Sequence, residues 1–185
     1  MRAFLALPLD AAAHSSLAST LRTLQRASWA REVRWVAEEN LHLTVRFLGD
    51  VSEAQQARLR AALSTHLREA NLPSALHLHV SAPSLFPTGR RPRVVACLVE
   101  ANAALLTLAA IAEYCAQAVG LPAETKPFQP HITLGRLRDG AALPSLRSAP
   151  IALSMCADQL CLYRSTLTPK GAIYTPEWTC AWAAC

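Results

Sequence analysis

Two short motifs, one in each half of the chain, pair a histidine with a threonine two residues later. The first, HLTV, begins at His42, and the second, HITL, begins at His131. Both lie in apolar runs, and because side chains alternate between the faces of a strand, each His and its Thr would share one face. With six His and twelve Thr in 185 residues, chance predicts about 0.4 such pairs. Two copies with matching neighbours therefore indicate one site built from two halves.

Two histidines and two threonines are suited to displacement at phosphorus. The attacking and leaving oxygens lie on opposite sides of the phosphorus atom, so a catalyst needs a base on one side and an acid on the other. His42 and His131 can take either role, because imidazole titrates near neutral pH. The hydroxyls of Thr44 and Thr133 can donate hydrogen bonds to the non-bridging oxygens. The residues alone leave the acid and the base unassigned, and they also allow each His a purely structural role in a sheet.

Arg46 is a candidate phosphate contact near the first motif. Strict alternation places it on the same strand face as His42 and Thr44. On that face its guanidinium contacts either phosphate or solvent. The same alternation directs three apolar side chains of this strand to the core: Leu43, Val45 and Phe47.

Arg136 is the corresponding candidate near the second motif, but its parity is opposite to that of His131. Its side chain can reach the face of His131 and Thr133 only if the strand ends or bulges near Gly135. The sequence therefore makes the role of Arg136 conditional on an irregularity in the strand.

The elements around the two motifs follow a similar order in both halves. An apolar run begins at Arg2, 40 residues before His42, and another begins at Arg93, 38 residues before His131. Apolar periodicity and capping residues predict helices over 10–27, 52–70 and 102–119. Alternating or continuous apolar runs predict strands over 2–8, 35–36, 41–48, 76–81 and 93–99, and at the second motif.

The remainder of the chain predicts a short helix near 143–147, strands near 151–156, 159–164 and 173–179, and a turn through 169–171. Most connections are too short for parallel crossovers, so the fold class is α+β with mainly antiparallel sheets and helices packed outside. No low-complexity linker separates the halves. We therefore expect residues 1–185 to form a single domain of two intimately packed, pseudo-symmetric lobes.

Composition and charge restrict the partners. The chain has a net charge of +5, and sixteen of its eighteen basic residues are Arg. Guanidinium groups favour an anionic partner such as nucleic acid, although a surface that is merely rich in Arg also accounts for this charge. No apolar run is long enough to cross a bilayer, and Pro8 and Asp10 interrupt the N-terminal run. We expect a cytoplasmic protein with no membrane partner.

Cysteine and histidine spacing does not favour a metal site. The six Cys contain no C-x-x-C pattern, and we expect mainly reduced thiols packed in the core. Cys156 and Cys161 flank a predicted turn, and His77 and His79 share a strand face, but no carboxylate at ligand spacing accompanies these His. We therefore expect no metal and no cofactor.

Four segments resemble one known family. The runs WVAEENLHLTVRFLGDV (35–51) and KPFQPHITLGRL (126–137), with RAFLALPLD at the start and LYRSTLTPKGAIYTPEW near the end, are similar to those of the 2H phosphoesterases. Within them, the resemblance is to the bacterial and archaeal RNA 2′,3′-cyclic phosphodiesterases, also called 2′-5′ RNA ligases. It implies a bilobal fold with the active-site cleft between the lobes and a metal-independent reaction. It also implies a substrate that is RNA with a 2′,3′-cyclic phosphate end, or a cyclic nucleotide.

The same resemblance implies roles for individual residues. His42 would protonate the leaving 3′ oxygen, His131 would activate water, and Thr44 and Thr133 would hold the phosphate, giving a 2′-phosphate product. Arg136 occupies the position of an arginine that commonly follows the second motif in that family. The reverse reaction with a 5′-hydroxyl would form a 2′-5′ linkage.

Two alternatives remain open at this point. The same fold can act on a small cyclic nucleotide or a 2′-5′ oligonucleotide, and an Arg-rich α+β protein can bind RNA without catalysis. A pure binding module would not explain the duplicated His–Thr pair, and the aromatic signature of an RRM is absent. We expect the protein to be a monomer.

Overall fold

The computed structural model describes residues 1–88, 91–142, 146, 153–169 and 171–182. Within these residues the strands are β1 (Arg2–Pro8), β2 (Val33–Trp35), β3 (His42–Asp50), β4 (Leu76–Phe86), β5 (Val94–Val99), β6 (His131–Leu137), β7 (Leu153–Ala157), β8 (Gln159–Thr168) and β9 (Gly171–Ala181). The α-helices are α1 (Ala11–Leu24), α2 (Glu53–Glu69) and α3 (Ala103–Ala118). The predicted helix near 143–147, the first residues of the strand predicted over 151–156, and Lys170 of the predicted turn lie outside the described residues.

The strands form one sheet in the order β7-β4-β5-β6-β3-β1-β8-β9, and β2 pairs with the end of β6. All strand pairs of the described residues are antiparallel. The sheet curls into a half-barrel, and the two central strands, β3 and β6, carry the two motifs. Outward from this centre, β3-β1-β8-β9 is matched by β6-β5-β4-β7. The predicted α+β class, with pseudo-symmetric and mainly antiparallel halves, is confirmed.

The helices begin at side chains that cap their first turns. Asp10 accepts two backbone hydrogen bonds from the first turn of α1 and a third, at 2.6 Å, from the backbone N–H of Cys156 in β7. Ser52 and Gln55 form the predicted capping box of α2. Asn102 caps α3 in the same way as Asp10 caps α1. Asp10 therefore joins α1 to a strand that lies 146 residues away along the chain.

Leucines on the inner faces of the helices form much of the core. Each of the most buried ones stabilises the fold by about 1.5–3 kcal/mol through loss of apolar surface to water. They recur at helical spacing, as the sequence predicts: Leu17 and Leu21 in α1, Leu59, Leu63 and Leu67 in α2, and Leu105 and Leu108 in α3. The cysteines that the structure describes are free thiols, and three of them are buried: Cys97, Cys115 and Cys161.

A β-bulge interrupts β3 one residue after the threonine of the first motif. The register with β1 shifts between Thr44 and Arg46, so Val45 is the extra residue of this ladder. The extra residue reverses the alternation of faces beyond it. Val45 and Arg46 are therefore both buried, whereas Phe47 is 56% exposed. The predicted placement of Arg46 on the face of His42, and of Phe47 in the core, is wrong because strict alternation ends at this bulge.

An equivalent bulge interrupts β6 one residue after the threonine of the second motif. The register with β5 shifts between Thr133 and Gly135, which makes Leu134 the extra residue. Arg136 consequently lines the same cavity as Thr133. The condition that the sequence set for Arg136, a bulge near Gly135, is met.

Gly135 lets β2 pack closely against this bulge. It pairs with Trp35 in β2. A Cβ atom at Gly135 would lie 2.4 Å from Cγ1 of Val33, and 3.1 Å from both the backbone O of Arg34 and Cε3 of Trp35. A side chain at this position would therefore push β2 away from β6.

We expect Gly135→Ala to lower the free energy of unfolding by about 1–3 kcal/mol, because the added methyl group overpacks this contact. Val33→Ala removes the nearest atom, so Gly135→Ala should cost less in a Val33→Ala background than in the wild type. Urea unfolding of the wild type, both single variants and the double variant measures this difference. Equal costs in the two backgrounds would contradict the clash.

Candidate active site

The two motifs meet at the centre of the sheet, where Leu43 of β3 pairs with Ile132 of β6. Residues directly opposite each other in an antiparallel ladder share a face. The register about this pair therefore places the His of each motif across from the Thr of the other. Four polar side chains converge on one face of the sheet in this way.

Two hydrogen bonds fix the orientation of the His42 ring. Nδ1 lies 2.7 Å from the backbone O of Asn40, and because a carbonyl oxygen only accepts, Nδ1 carries the proton. Nε2 lies 2.9 Å from Oγ1 of Thr44 and accepts the hydroxyl hydrogen while the ring is neutral. Nε2 is thus the nitrogen that gains or loses a proton within the site.

Aromatic rings pack around His42 and shield much of its ring from water. Phe4 stacks on the imidazole with ring centroids 4.9 Å apart, and Tyr174 meets it edge-on at 5.3 Å. Burial is the main reason why the pKa of His42 falls to about 4. The backbone hydrogen bond to Asn40 opposes this fall, and the nearby charge of His131 adds to it. The His42 ring is therefore neutral at pH 7 in the unliganded protein.

His131 is oriented by the same device. Its Nδ1 lies 2.7 Å from the backbone O of Gln129, two residues earlier, as Nδ1 of His42 does from Asn40. Its ring lies 4.4 Å from that of Phe86, measured between centroids. Nδ1 carries the proton of the neutral ring, and Nε2 has no protein partner among the residues that the structure describes. Both histidines thus offer Nε2 for chemistry.

Two cavities adjoin at Thr44. One, of 600 Å³, is lined by Thr44 and His131 and by several phenylalanine side chains. The other, of 470 Å³, is lined by His42, Thr44, Thr133 and Arg136. All six site residues predicted from the sequence thus line this pair of cavities.

Arg46, the sixth predicted residue, has its donors engaged elsewhere. Its side chain is 9% exposed, and its guanidinium forms an ion pair with Glu113 of α3. It also donates to the backbone oxygens of Phe47 and Pro122, and Glu124 lies 4.0 Å away. Arg46 itself borders the 600 Å³ cavity, but its guanidinium joins β3 to α3. This geometry argues against the predicted phosphate contact.

Sequence reasoning missed Asn40. Its Nδ2 donates to the backbone O of Ala172 in β9 at 2.7 Å, while its backbone O accepts from His42. Asn40 therefore joins β9, which carries Tyr174, to the histidine. The only signal in the sequence is positional: an amide residue, Asn40 or Gln129, stands two residues before each histidine.

The remaining histidine pair lies apart from these cavities. His77 and His79 alternate with buried leucines of β4 and are exposed. In the described part of the chain, no group of three or more His, Cys, Asp or Glu is placed to hold a metal ion. None of the described helices is long and apolar enough to span a membrane.

Known proteins are similar to this chain in sequence and in fold. The sequence model of the family described as LigT like Phosphoesterase matches residues 7–96 and 99–174. A relative from Methanothermobacter thermautotrophicus, named RNA 2′,3′-cyclic phosphodiesterase, is 31% identical over 182 residues, with 95% of each chain covered. A crystal structure from Thermus thermophilus matches with a TM-score of 0.79 at 29% identity, covering 98% of both chains. Escherichia coli LigT in complex with 3′-AMP matches with a TM-score of 0.77 at 26% identity, covering 97% of both chains.

We expect the His42 ring of the unliganded protein to remain neutral until the pH falls to about 4, because burial opposes its charged form. Histidine NMR shifts followed against pH measure this, with the resonance assigned by its loss in His42→Gln. Since the unfolded chain binds this proton more readily, the free energy of unfolding should fall as the pH drops from 6.5 towards 4. A titration midpoint near 6.5 would contradict burial as the controlling factor.

Proposed function

Because this chain belongs to the family of LigT-like phosphoesterases, we propose that it is an RNA 2′,3′-cyclic phosphodiesterase. The observation that carries the proposal is the meeting of the two His–Thr pairs on one face of the β3–β6 junction. The names of its relatives supply the substrate class. In this proposal the two halves of the sheet act as one domain, residues 1–185, because each contributes half of the site.

The reaction breaks the bond between phosphorus and the 3′ oxygen. Water attacks phosphorus as His131 takes one of its protons on Nε2, and His42 gives a proton from Nε2 to the departing 3′ oxygen. The products are a 2′-phosphomonoester and a 3′-hydroxyl. Positions on opposite sides of the phosphate suit an in-line displacement, in which the two oxygens lie at nearly 180°. No metal ion takes part in this scheme.

Thr44, Thr133 and Arg136 bind the phosphate in the proposed complex. All three line the 470 Å³ cavity with His42. Hydroxyl donors stabilise the negative charge on the non-bridging oxygens without competing for the transferred proton. The Arg136 guanidinium adds a charged donor, and it forms no ion pair with any described residue. Arg46 has no part in this proposal, because Glu113 already pairs with its guanidinium.

The lowered pKa of His42 implies that substrate binding favours its protonation. A neutral His42 has no proton on Nε2 to give to the 3′ oxygen. The phosphodiester is an anion, and an anion beside a histidine favours the charged ring. The bound phosphodiester therefore favours protonation of His42, which then acts as the acid, whereas His42 is neutral in the empty site.

The same residues can form a bond to RNA instead of to water. If a 5′-hydroxyl replaces water as the attacking group, the displacement gives a 2′-5′ linkage and a 3′-hydroxyl, which is the reverse of cleaving such a linkage. His131 then takes the proton of that hydroxyl, and His42 protonates the 3′ oxygen as before. We include this ligation as a second reaction of the site, and small cyclic nucleotides as minimal substrates.

We expect the purified protein to open nucleoside 2′,3′-cyclic phosphates to 2′-phosphates in excess EDTA. His42→Ala and His131→Ala should each lower kcat/KM by at least about 100-fold, since each removes one proton-transfer group. His79→Ala, on an exposed part of β4, is the matched control and should retain full activity. Loss of wild-type activity in EDTA would contradict the metal-independent scheme, and full activity of both site variants would exclude these roles.

A substrate with sulfur in place of the bridging 3′ oxygen shows which histidine is the general acid and which is the general base. A thiol is far more acidic than an alcohol, so its thiolate leaves without a proton. The loss in His42→Ala should shrink to less than about 10-fold on this substrate, whereas the loss in His131→Ala should persist. A disulfide reagent measures the released 3′-thiol. Recovery of the His131 variant instead of the His42 variant would exchange the two roles.

A further inference from the structure

A second groove, rich in arginine, opens beside the candidate active site. Its cavity has a volume of 710 Å³. It is lined at the adjoining ends of β5 and β6 by Arg91, Arg93, Arg136 and Arg138, which we call the arginine groove. Among the described residues of this lining, Asp139 is the single carboxylate. Four guanidinium groups against one carboxylate make the groove strongly positive.

The charges of the four arginines in this groove are not paired with carboxylates of the residues that the structure describes. None of the four takes part in an ion pair with a residue that the structure describes. Arg136 also stands directly opposite Arg34, which is exposed in β2. Like charges at facing positions destabilise a sheet. Such an arrangement persists at a cost to stability, and an anion bound between the arginines would offset that cost.

The backbone that carries the groove is firmly held. The backbone N–H of Arg93 donates to Phe86 at 2.8 Å, and the backbone O of Arg93 accepts from Leu137 at 2.9 Å. Nε of Arg138 donates to the backbone O of Arg31 at 2.9 Å, which leaves both terminal nitrogens of that guanidinium for a ligand. The Arg138 guanidinium is therefore held in place before any ligand arrives, so less freedom of this side chain is lost on binding.

Arg136 connects the arginine groove to the candidate active site, because it lines both cavities. We propose that the arginine groove binds the backbone phosphates of the RNA strand on the 5′ side of its cyclic end. This inference rests on the proposed function, and it makes an oligonucleotide the preferred substrate over a single nucleotide. A strand whose terminal phosphate lies between the two histidines must leave the site along some surface. The arginine groove supplies an adjoining surface with charge opposite to that of the strand.

Guanidinium groups are well suited to binding backbone phosphates. Their planar fork of donors matches two phosphate oxygens at once, and a strand offers several backbone phosphates to the four arginines of the groove. Contacts of this kind bind without reading base sequence. The arginine groove should therefore set affinity for RNA length rather than for RNA sequence.

The test compares two substrates in the wild type and in Arg93→Gln, Arg138→Gln and the double variant. One substrate is a nucleoside 2′,3′-cyclic phosphate, and the other is a ten-nucleotide RNA with the same cyclic end. We expect the wild type to prefer the oligonucleotide, and each single variant to lower its kcat/KM by about 3- to 10-fold. The salt dependence of log(kcat/KM) for the oligonucleotide should become shallower by about 0.7 for each phosphate that a substitution leaves without its arginine.

Arg68→Gln is the matched control, because it removes the same charge from an exposed position on α2. It should change neither the substrate preference nor the salt slope. Equal losses on both substrates in the groove variants would overturn the proposal, since the groove would then act through Arg136 alone. Unchanged kinetics on both substrates, or a wild type without preference for the oligonucleotide, would also overturn it.

Binding of a fluorescent ten-nucleotide RNA ending in a 3′-phosphate tests the arginine groove without catalysis. Weaker binding in the groove variants, with unchanged binding in Arg68→Gln, supports the proposal even if no cyclic phosphate is opened. In that case the proposed function alone would fail. Equal binding by wild type and groove variants, with cyclic phosphates still opened, would contradict RNA binding in the arginine groove and would still support the proposed function. Polyglutamate of the same length should not compete, and effective competition would make the groove a site for acidic protein.

Discussion

The antiparallel contact between β3 and β6 is the constraint on which the candidate site depends. The two strands belong to different halves of the chain, and they face each other at Leu43 and Ile132. Neither half could build the site alone, since each supplies one histidine and one threonine. The short extent of this contact also has a consequence: beyond it the strands separate, and two cavities open on either side of Thr44. The same junction thus joins the halves of the sheet and creates room for a substrate.

Paired bulges give the two halves different tasks despite their similar topology. Each half has an extra residue immediately after its threonine, which reverses the alternation of side chains beyond that point. In β6 the bulge turns Arg136 into the cleft, and Gly135 makes this possible because β2 packs where its side chain would be. In β3 the bulge turns Arg46 towards Glu113 instead and exposes Phe47. One half therefore presents a charged donor to the cleft, while the other presents an aromatic ring.

Burial of His42 is a compromise between positioning and charge. Phe4 and Tyr174 hold the ring from two sides, and the backbone O of Asn40 fixes its tautomer. The same packing removes the water that would solvate a protonated ring, and it lowers the pKa of His42 to about 4. Its fixed orientation is therefore accompanied by a neutral resting state. Asn40 has a second consequence, because its side chain holds β9 against this cluster.

The sequence by itself predicted most of the elements and the residues that line the candidate site. Local signals define these features: the spacing of leucines in α2, the Ser52–Gln55 capping box, and His and Thr two residues apart in an apolar run. Each arises within a few residues, so the chain shows it without its fold. The class of the fold followed from the short connections between the elements, and the duplicated order of elements predicted two similar halves.

Only the tertiary structure decided what lies between elements. Strict alternation failed for Arg46, because a bulge depends on how β3 pairs with β1 and leaves no mark in the residues of β3 alone. The link from Asn40 to Ala172 spans 132 residues of sequence, so no local pattern could reveal it. The lowered pKa of His42 arises from rings on three separate strands. Local motifs and helix signals can be found in the order of residues, whereas burial, register and long-range hydrogen bonds exist only once distant segments have packed together.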